Sequence, residues 1–121
     1  MDSGYCNCGP FRVSIIPSGL LKPYVLKLIS ERPMYGYEIM EQIFEKTGGI
    51  WRPGPAAMYT TLGWLEQHGY IKALNTGQRS EKQRKQYRIT EKGSAALVDY
   101  AEASKMIAKR MKKFGSLCCA L

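Results

Sequence analysis

The chain has 121 residues, which is enough for one small domain with a modest core. Its 18 Lys and Arg exceed its 10 Asp and Glu, and the resulting formal charge of +8 favours a polyanionic partner, either nucleic acid or an anionic membrane surface. No apolar run approaches the roughly 20 residues of a membrane span, and the N-terminus lacks the features of a secretion signal. We therefore expect a cytoplasmic protein.

The first half of the chain predicts an arm followed by two helices. Residues 1–17 carry Gly and Pro without a helical period, so we predict an N-terminal arm there. The stretch "LLKPYVLKLIS" predicts a first helix over residues 20–31, because its apolar residues recur on one helical face. A second helix should begin near Gly36 and end at Gly48 and Gly49, which favour a left-handed C-terminal turn.

A third helix is predicted after Pro53, with an apolar stripe on one side only. At about 100° per residue, Met58, Leu62 and Leu65 fall on that side. Gly69 should end this helix. The opposite face carries Ala56, Thr60, Gly63, Trp64 and Gln67.

A basic hairpin is predicted next. The period changes to two here: Ile71 and Ala73 lie on either side of Lys72, and Tyr87 and Ile89 lie on either side of Arg88. We therefore predict two short strands joined by a polar turn over residues 76–83. Basic side chains at a hairpin tip favour contact with DNA phosphates, although a solvated loop is the alternative. The candidates for this contact are Arg79, Lys82, Arg84 and Lys85.

The last helix is predicted over residues 91–114, with Thr90 as its N-cap. A helix of this length extends beyond a domain of this size, so a second copy of the chain is the expected partner of its outer half. The alternative is that the stripe lies on helix 1 of the same chain, and both can hold at once. The predicted dimer residues follow a heptad pattern: Leu97, Tyr100, Ile107, Met111 and Phe114.

The order helix–helix–helix–hairpin–helix is that of a winged helix-turn-helix. The predicted fold is thus mainly α with a small β-hairpin. We expect a DNA-binding domain over residues 18–90 and a long C-terminal dimerisation helix with its tail over residues 91–121.

Three segments resemble the PadR family of transcriptional regulators: "YGYEIMEQI", "TGGIWRPGPAAMYTTLGWLEQHGYI" and "RKQYRITEKGSAAL". The resemblance covers residues 20–100, and the single C-terminal helix resembles the short branch of the family. It implies a homodimeric repressor that binds double-stranded DNA, with helix 3 in the major groove and the wing on the minor groove or backbone. It also implies a small aromatic or amphiphilic effector, for which Tyr24, Tyr100 and Phe114 are candidate contacts.

The resemblance assigns DNA contacts to the first turns of helix 3. Small residues there allow close approach to base edges, and threonine hydroxyls can bond phosphates or bases. Trp64 departs from the family, in which positions 63 and 64 are usually polar or basic; it could pack on the wing, touch a ligand or meet a partner. The expected contacts are Ala56, Ala57, Tyr59 (by analogy with the matching family tyrosine), Thr60 and Thr61.

Two interpretations from other classes remain open. The tail "KRMKKFGSLCCAL" is polybasic and ends like a prenylation box, so it could hold the protein at a membrane surface. Alternatively, the winged helix could serve protein partners instead of DNA. We expect no membrane partner.

The four cysteines lie at the two ends of the chain and allow a zinc site, a disulfide or no role at all. We expect no metal and no other cofactor. No nucleophile–base set, carboxylate pair or phosphate loop is visible, so we expect no enzyme. The low-ranking metal candidates are Cys6, Cys8, Cys118 and Cys119.

Overall fold

A computed structural model describes residues 5–8, 11–14, 19–74 and 85–119, with side chains over residues 19–74 and 85–117. Four helices dominate it, as the periodicity predicts. They are α1 (Leu21–Glu31), α2 (Gly36–Lys46), α3 (Pro55–Gln67) and α4 (Glu91–Cys119). The strands are β1 (Tyr5–Cys8), β2 (Phe11–Ser14), β3 (Met34–Tyr35), β4 (Ile71–Ala73) and β5 (Gln86–Ile89).

The wing is a three-stranded antiparallel sheet in the order β3–β5–β4. Strands β4 and β5 are the predicted pair, with Ile71 opposite Ile89. Strand β3 was not predicted; it is two residues long, and its Met34 lies opposite Tyr87. A strand of two residues is too short to show an alternating pattern in the sequence. Only its pairing with β5 identifies it as a strand.

Glycines end α2 and α3, as predicted. Gly48 and Gly69 have φ values of 68° and 81°, which only glycine adopts at low cost. After α3, the Gly69 N–H donates to the Glu66 carbonyl at 3.1 Å and the Tyr70 N–H donates to the Leu65 carbonyl at 2.9 Å. This pair of bonds is a Schellman motif, and it turns the chain from α3 into β4.

One hydrophobic core joins α1, α2, α3 and the inner face of the sheet. Burial of these side chains is the main favourable contribution to folding. The stripe predicted for α3 is confirmed, because Met58, Leu62 and Leu65 are all buried. The buried apolar residues are Val25, Leu26, Leu28, Ile29, Met34, Ile39, Ile43, Met58, Leu62, Leu65, Ile71 and Tyr87.

The start of α4 is attached to the end of α3. The Gly93 N–H donates to Thr90 Oγ1 at 3.1 Å, which confirms Thr90 as the N-cap. The same hydroxyl donates to the Gly69 carbonyl at 2.7 Å. Gly93 itself is packed so closely that a Cβ atom there would lie 2.1 Å from the Tyr70 carbonyl oxygen.

Two regions differ from the sequence prediction. The predicted N-terminal arm contains an antiparallel pair of strands, in which Tyr5 lies opposite Ser14 and Cys8 opposite Phe11. Helix α4 ends at Cys119 rather than near residue 114, so it is longer than expected.

Candidate nucleic-acid interface

The candidate interface begins with the side of α3 that faces away from the core. Ala56, Ala57 and Thr60 are exposed, as predicted, and so are Gly63 and Gln67. Pro55 occupies the first turn after the N-cap Gly54, a position where its missing N–H costs nothing. The result is a smooth face of small side chains at the N-terminal end of the helix.

Tyr59 lies at the edge of this face and is half-buried. Its ring covers Gly36 at the start of α2, where an added Cβ atom would lie 2.7 Å from the ring carbon Cε1. Burial raises the pKa of Tyr59 above its ordinary value, so its hydroxyl, which is protonated at neutral pH even without this shift, keeps its proton. Tyr59 therefore packs α3 against α2, and its hydroxyl lies beside Gly36.

Thr61 corrects the sequence prediction. Only 8% of the residue is exposed, so it faces the core and not the open side of α3. The reason is its spacing: residue 61 follows Met58 by three positions and precedes Leu65 by four, which places it on the buried stripe. We leave Thr61 out of the contact surface.

Trp64 packs against the connection from α3 to the wing. Its ring stacks on His68 at 3.9 Å and on Tyr70 at 5.9 Å between centroids. Lys22 Nζ of α1 lies 4.7 Å from the Trp64 ring centroid, within the range of a cation–π contact. Of the roles left open by the sequence, packing beside the wing is the one this geometry matches, with 38% of Trp64 still exposed.

The wing carries two cations that sequence reasoning did not select. Lys72 of β4 and Arg88 of β5 lie directly opposite each other, and both are exposed. Like charges at opposed positions repel, so an anion between them would relieve the repulsion. Their pairing depends on the strand register, and alternation along β4 and β5 is the signal that could have found it.

The predicted wing cations are only partly covered by the structure. Lys85 is half-buried immediately before β5. Arg79, Lys82 and Arg84 fall in residues 75–84, outside the described residues.

The predicted dimer stripe divides into two parts. Leu97 and Tyr100 are half-buried where α4 packs on α1, whereas Ile107, Met111 and Phe114 are 62%, 69% and 61% exposed. A groove of about 610 Å³ lies beside this contact and is lined by residues of both α1 and α4. Its lining is mostly apolar and includes Tyr24, Leu28, Leu97 and Tyr100.

The cysteine side chains fall outside the part of the chain whose side chains are described. Among the described residues, no group of three or more His, Cys, Asp or Glu is placed to hold a metal ion. Within the same residues, no helix is both long and apolar enough to span a membrane.

Comparisons with known proteins agree with this architecture. The Transcriptional regulator PadR-like family matches residues 25–99. The transcriptional regulator YqjI of Escherichia coli (strain K12) is 32% identical over 94 residues, which are 78% of this chain and 44% of YqjI. The chain thus spans less than half the length of that relative.

Solved structures extend the comparison. A transcriptional regulator from Clostridium thermocellum has a TM-score of 0.71 and 30% identity, covering 82% of this chain and 97% of that one. Bacillus subtilis PadR in complex with operator DNA has a TM-score of 0.59 and 28% identity, covering 68% of this chain and 47% of that one. The same protein in complex with p-coumaric acid has a TM-score of 0.56 and 26% identity, covering 68% of this chain and 44% of that one.

These matches confirm the winged-helix fold and the resemblance found in the sequence. The family match covers more than half of the chain and includes α3 and both strands of the hairpin. The chain belongs to the PadR-like family of transcriptional regulators, which are not enzymes.

Proposed function

We propose that this chain is a homodimeric transcriptional repressor that binds DNA in the cytoplasm and is released by a small aromatic or amphiphilic effector. One observation carries the proposal. Helix α3 exposes a face of small residues, and the wing that follows it carries Lys72 and Arg88 opposite each other on adjacent strands. A major groove about 12 Å wide admits one such helix. Bacillus subtilis PadR, which has the same fold, was solved in complex with operator DNA.

We assign base contacts to the N-terminal half of α3. The methyl groups of Ala56, Ala57 and Thr60 can contact thymine methyls, and the Thr60 hydroxyl can bond a base or a phosphate. We add the Tyr59 hydroxyl as a further donor, by analogy with the matching tyrosine of the family. Because no Lys or Arg stands between Pro53 and Tyr70, α3 cannot form the arginine–guanine pairing that is common in DNA readout.

Cations of the wing supply the contacts to phosphates. Lys72 and Arg88 are the described pair, and Lys85 lies immediately before β5. Arg79, Lys82 and Arg84 are added from the sequence. Contacts of this kind are independent of sequence and set the salt dependence of binding.

Dimerisation is assigned to the outer half of α4. Ile107, Met111 and Phe114 repeat at four and three residues, and they form an exposed apolar stripe with no cover from the rest of the described chain. A second copy of α4 offers the same stripe in return, as an interface with twofold symmetry requires. Two subunits would then present two α3 helices to a near-palindromic site with half-sites about one helical turn apart, or a multiple of that.

The groove between α1 and α4 is the proposed effector site. Its volume of about 610 Å³ falls in the range of small-molecule pockets, and its lining is mostly apolar. The rings of Tyr24 and Tyr100 could contact an aromatic ligand there. Because the groove lies beside the proposed dimer seam, a bound ligand could change the spacing of the two DNA-binding domains.

A titration of DNA binding against salt tests the proposal. We expect the wild-type protein to bind a mixed-sequence duplex at low salt. The slope of the logarithm of the binding constant against the logarithm of the salt concentration measures the number of phosphates neutralised. The double variant Lys72→Ala/Arg88→Ala should reduce the magnitude of this slope by about two units per subunit if each cation neutralises one phosphate. Lys105→Ala/Lys109→Ala, which removes two exposed cations of α4, is the matched control. An unchanged salt slope would remove these wing cations from the interface, and no binding at all would favour a protein partner.

A further inference from the structure

Arg52 is the basic residue closest in sequence to the N-terminal end of α3. It stands two positions before the N-cap Gly54, and α3 itself has no Lys or Arg. Pro53 and Gly54 join it to the helix, so its side chain is held near the proposed reading end. None of the contacts assigned above uses it.

The Arg52 guanidinium is held by one carboxylate and one ring. Its Nη2 donates to Glu41 Oε1 of α2 at 3.2 Å. Its Cζ lies 4.4 Å from the centroid of the Phe44 ring, a cation–π contact that orients the group without using its N–H donors. The Arg52 and Glu41 side chains are 51% and 54% exposed.

The pair borders a cleft of about 470 Å³ between α2 and the start of α3. Gly54 and Pro55 form one wall, and Tyr37 lies on the other. The Tyr37 side chain is largely exposed, and its ring stacks on Tyr35 at 5.7 Å between centroids. The cleft therefore opens next to the first turn of α3, where DNA would lie.

The contact between Arg52 and Glu41 is easily exchanged. Ion pairs this exposed contribute little to stability, because water screens them and both side chains lose freedom. Glu41 uses one of the five N–H donors of the guanidinium. A phosphate group can accept two of these N–H groups side by side, which is the geometry that arginine forms best.

We propose that Arg52 binds a phosphate of the DNA backbone and that Glu41 occupies its guanidinium in the free protein. Glu41 thereby competes with DNA for the same donor and lowers the affinity of each subunit. This inference rests on the proposed DNA binding, and it supplies a cation beside α3, which has none of its own.

Opposite changes in affinity test the inference. The measurement is fluorescence anisotropy with a labelled mixed-sequence duplex of about 30 base pairs, roughly three helical turns, at several salt concentrations. Arg52→Gln, which keeps a stem over Phe44, should weaken binding about tenfold and lower the salt slope by about one unit per subunit. Glu41→Gln should strengthen binding severalfold, and Arg52→Lys should retain most of the slope.

Two controls separate the exchange from a general effect of charge. Glu45→Gln removes another exposed carboxylate from α2, one turn after Glu41. The double variant Glu41→Gln/Arg52→Gln should lose the gain of Glu41→Gln, because the gain acts through the arginine. Thermal unfolding of each variant checks that the fold is intact.

The outcomes discriminate clearly. Equal binding by wild type and Arg52→Gln would overturn the inference while leaving the proposed function in place. A Glu41→Gln gain that persists without Arg52, or that Glu45→Gln matches, would also overturn it. A wild-type protein that does not bind the duplex would instead defeat the proposed function, and this inference with it.

Discussion

At the scale of single residues, two glycines in helices have opposite environments. A Cβ atom at Gly93 would lie 2.1 Å from the Tyr70 carbonyl oxygen and 2.8 Å from a carbon of Ile89. At Gly63, a Cβ atom would meet nothing within 4 Å. The first glycine is required by the close approach of α4 to the wing, whereas the second occupies an open helix face.

We expect Gly93→Ala to lower the free energy of unfolding by about 2 kcal/mol or more, because backbone atoms would have to move. We expect Gly63→Ala to raise it by about 0.5–1 kcal/mol, since alanine is the better helix former. Urea denaturation of both variants measures the difference. Equal effects at the two positions would contradict the packing described for Gly93.

The sequence predicts the apolar periodicity of the helices better than it predicts the contacts of single side chains. The hydroxyl of Thr61 and its place near the start of α3 predict a DNA contact, whereas its spacing from Met58 places it on the buried stripe. The environment of Trp64 depends on Lys22 and Tyr70, which approach it only in the folded chain. No local pattern predicts such a cluster.

At the scale of elements, α3 combines a buried stripe with a face that has no role in the core. Its sequence predicted both, because the helical period is regular and Gly69 marks the end. The pair of strands β1 and β2 was missed, although residues 5–8 and 11–14 alternate around Gly9 and Pro10 in the manner of a hairpin. Strand β3 could not have been predicted, since its two residues are a strand only through β5.

A charge placed on the open face of α3 separates DNA binding from folding. Ala56→Glu should reduce affinity for DNA at least tenfold, because the carboxylate would face phosphates. The fold should be unaffected or slightly stabilised, since a carboxylate is favourable in the first turn of a helix. Anisotropy and thermal unfolding measure the two effects.

Ala95→Glu is the matched control for that variant. It makes the same change at an exposed position of another helix, α4. A loss of affinity as large as that of Ala56→Glu would show that net charge, and not the face of α3, determines binding.

At the scale of the whole molecule, the rest of the described chain leaves Ile107, Met111 and Phe114 of α4 exposed, and the partner that we propose for them is a second copy of the chain. We expect Ile107→Glu/Phe114→Glu to convert the proposed dimer to a monomer, because four carboxylates would be brought into one apolar seam. Light scattering coupled to size exclusion measures the mass. Met106→Glu, at an exposed position on another side of the helix, should leave the dimer intact.

The apolar stripe of α4 is packed on α1 in its first part and exposed in its second part, and the sequence predicts the stripe but not this boundary. The heptad pattern predicts the stripe, and both of the partners considered for it are consistent with the fold. Helix α1 packs against Leu97 and Tyr100, whereas residues 107–117 are exposed. The residue of α4 at which the contact with α1 ends depends on the length and direction of α1, which only the three-dimensional structure gives.

The central claim is that two copies of this chain act on one DNA duplex. Native mass spectrometry of the purified protein, alone and with a mixed-sequence duplex in dilute salt, tests it most directly. We predict a species of twice 13.7 kDa that adds the mass of one duplex. A single chain of 13.7 kDa that remains free when DNA is added would contradict the account.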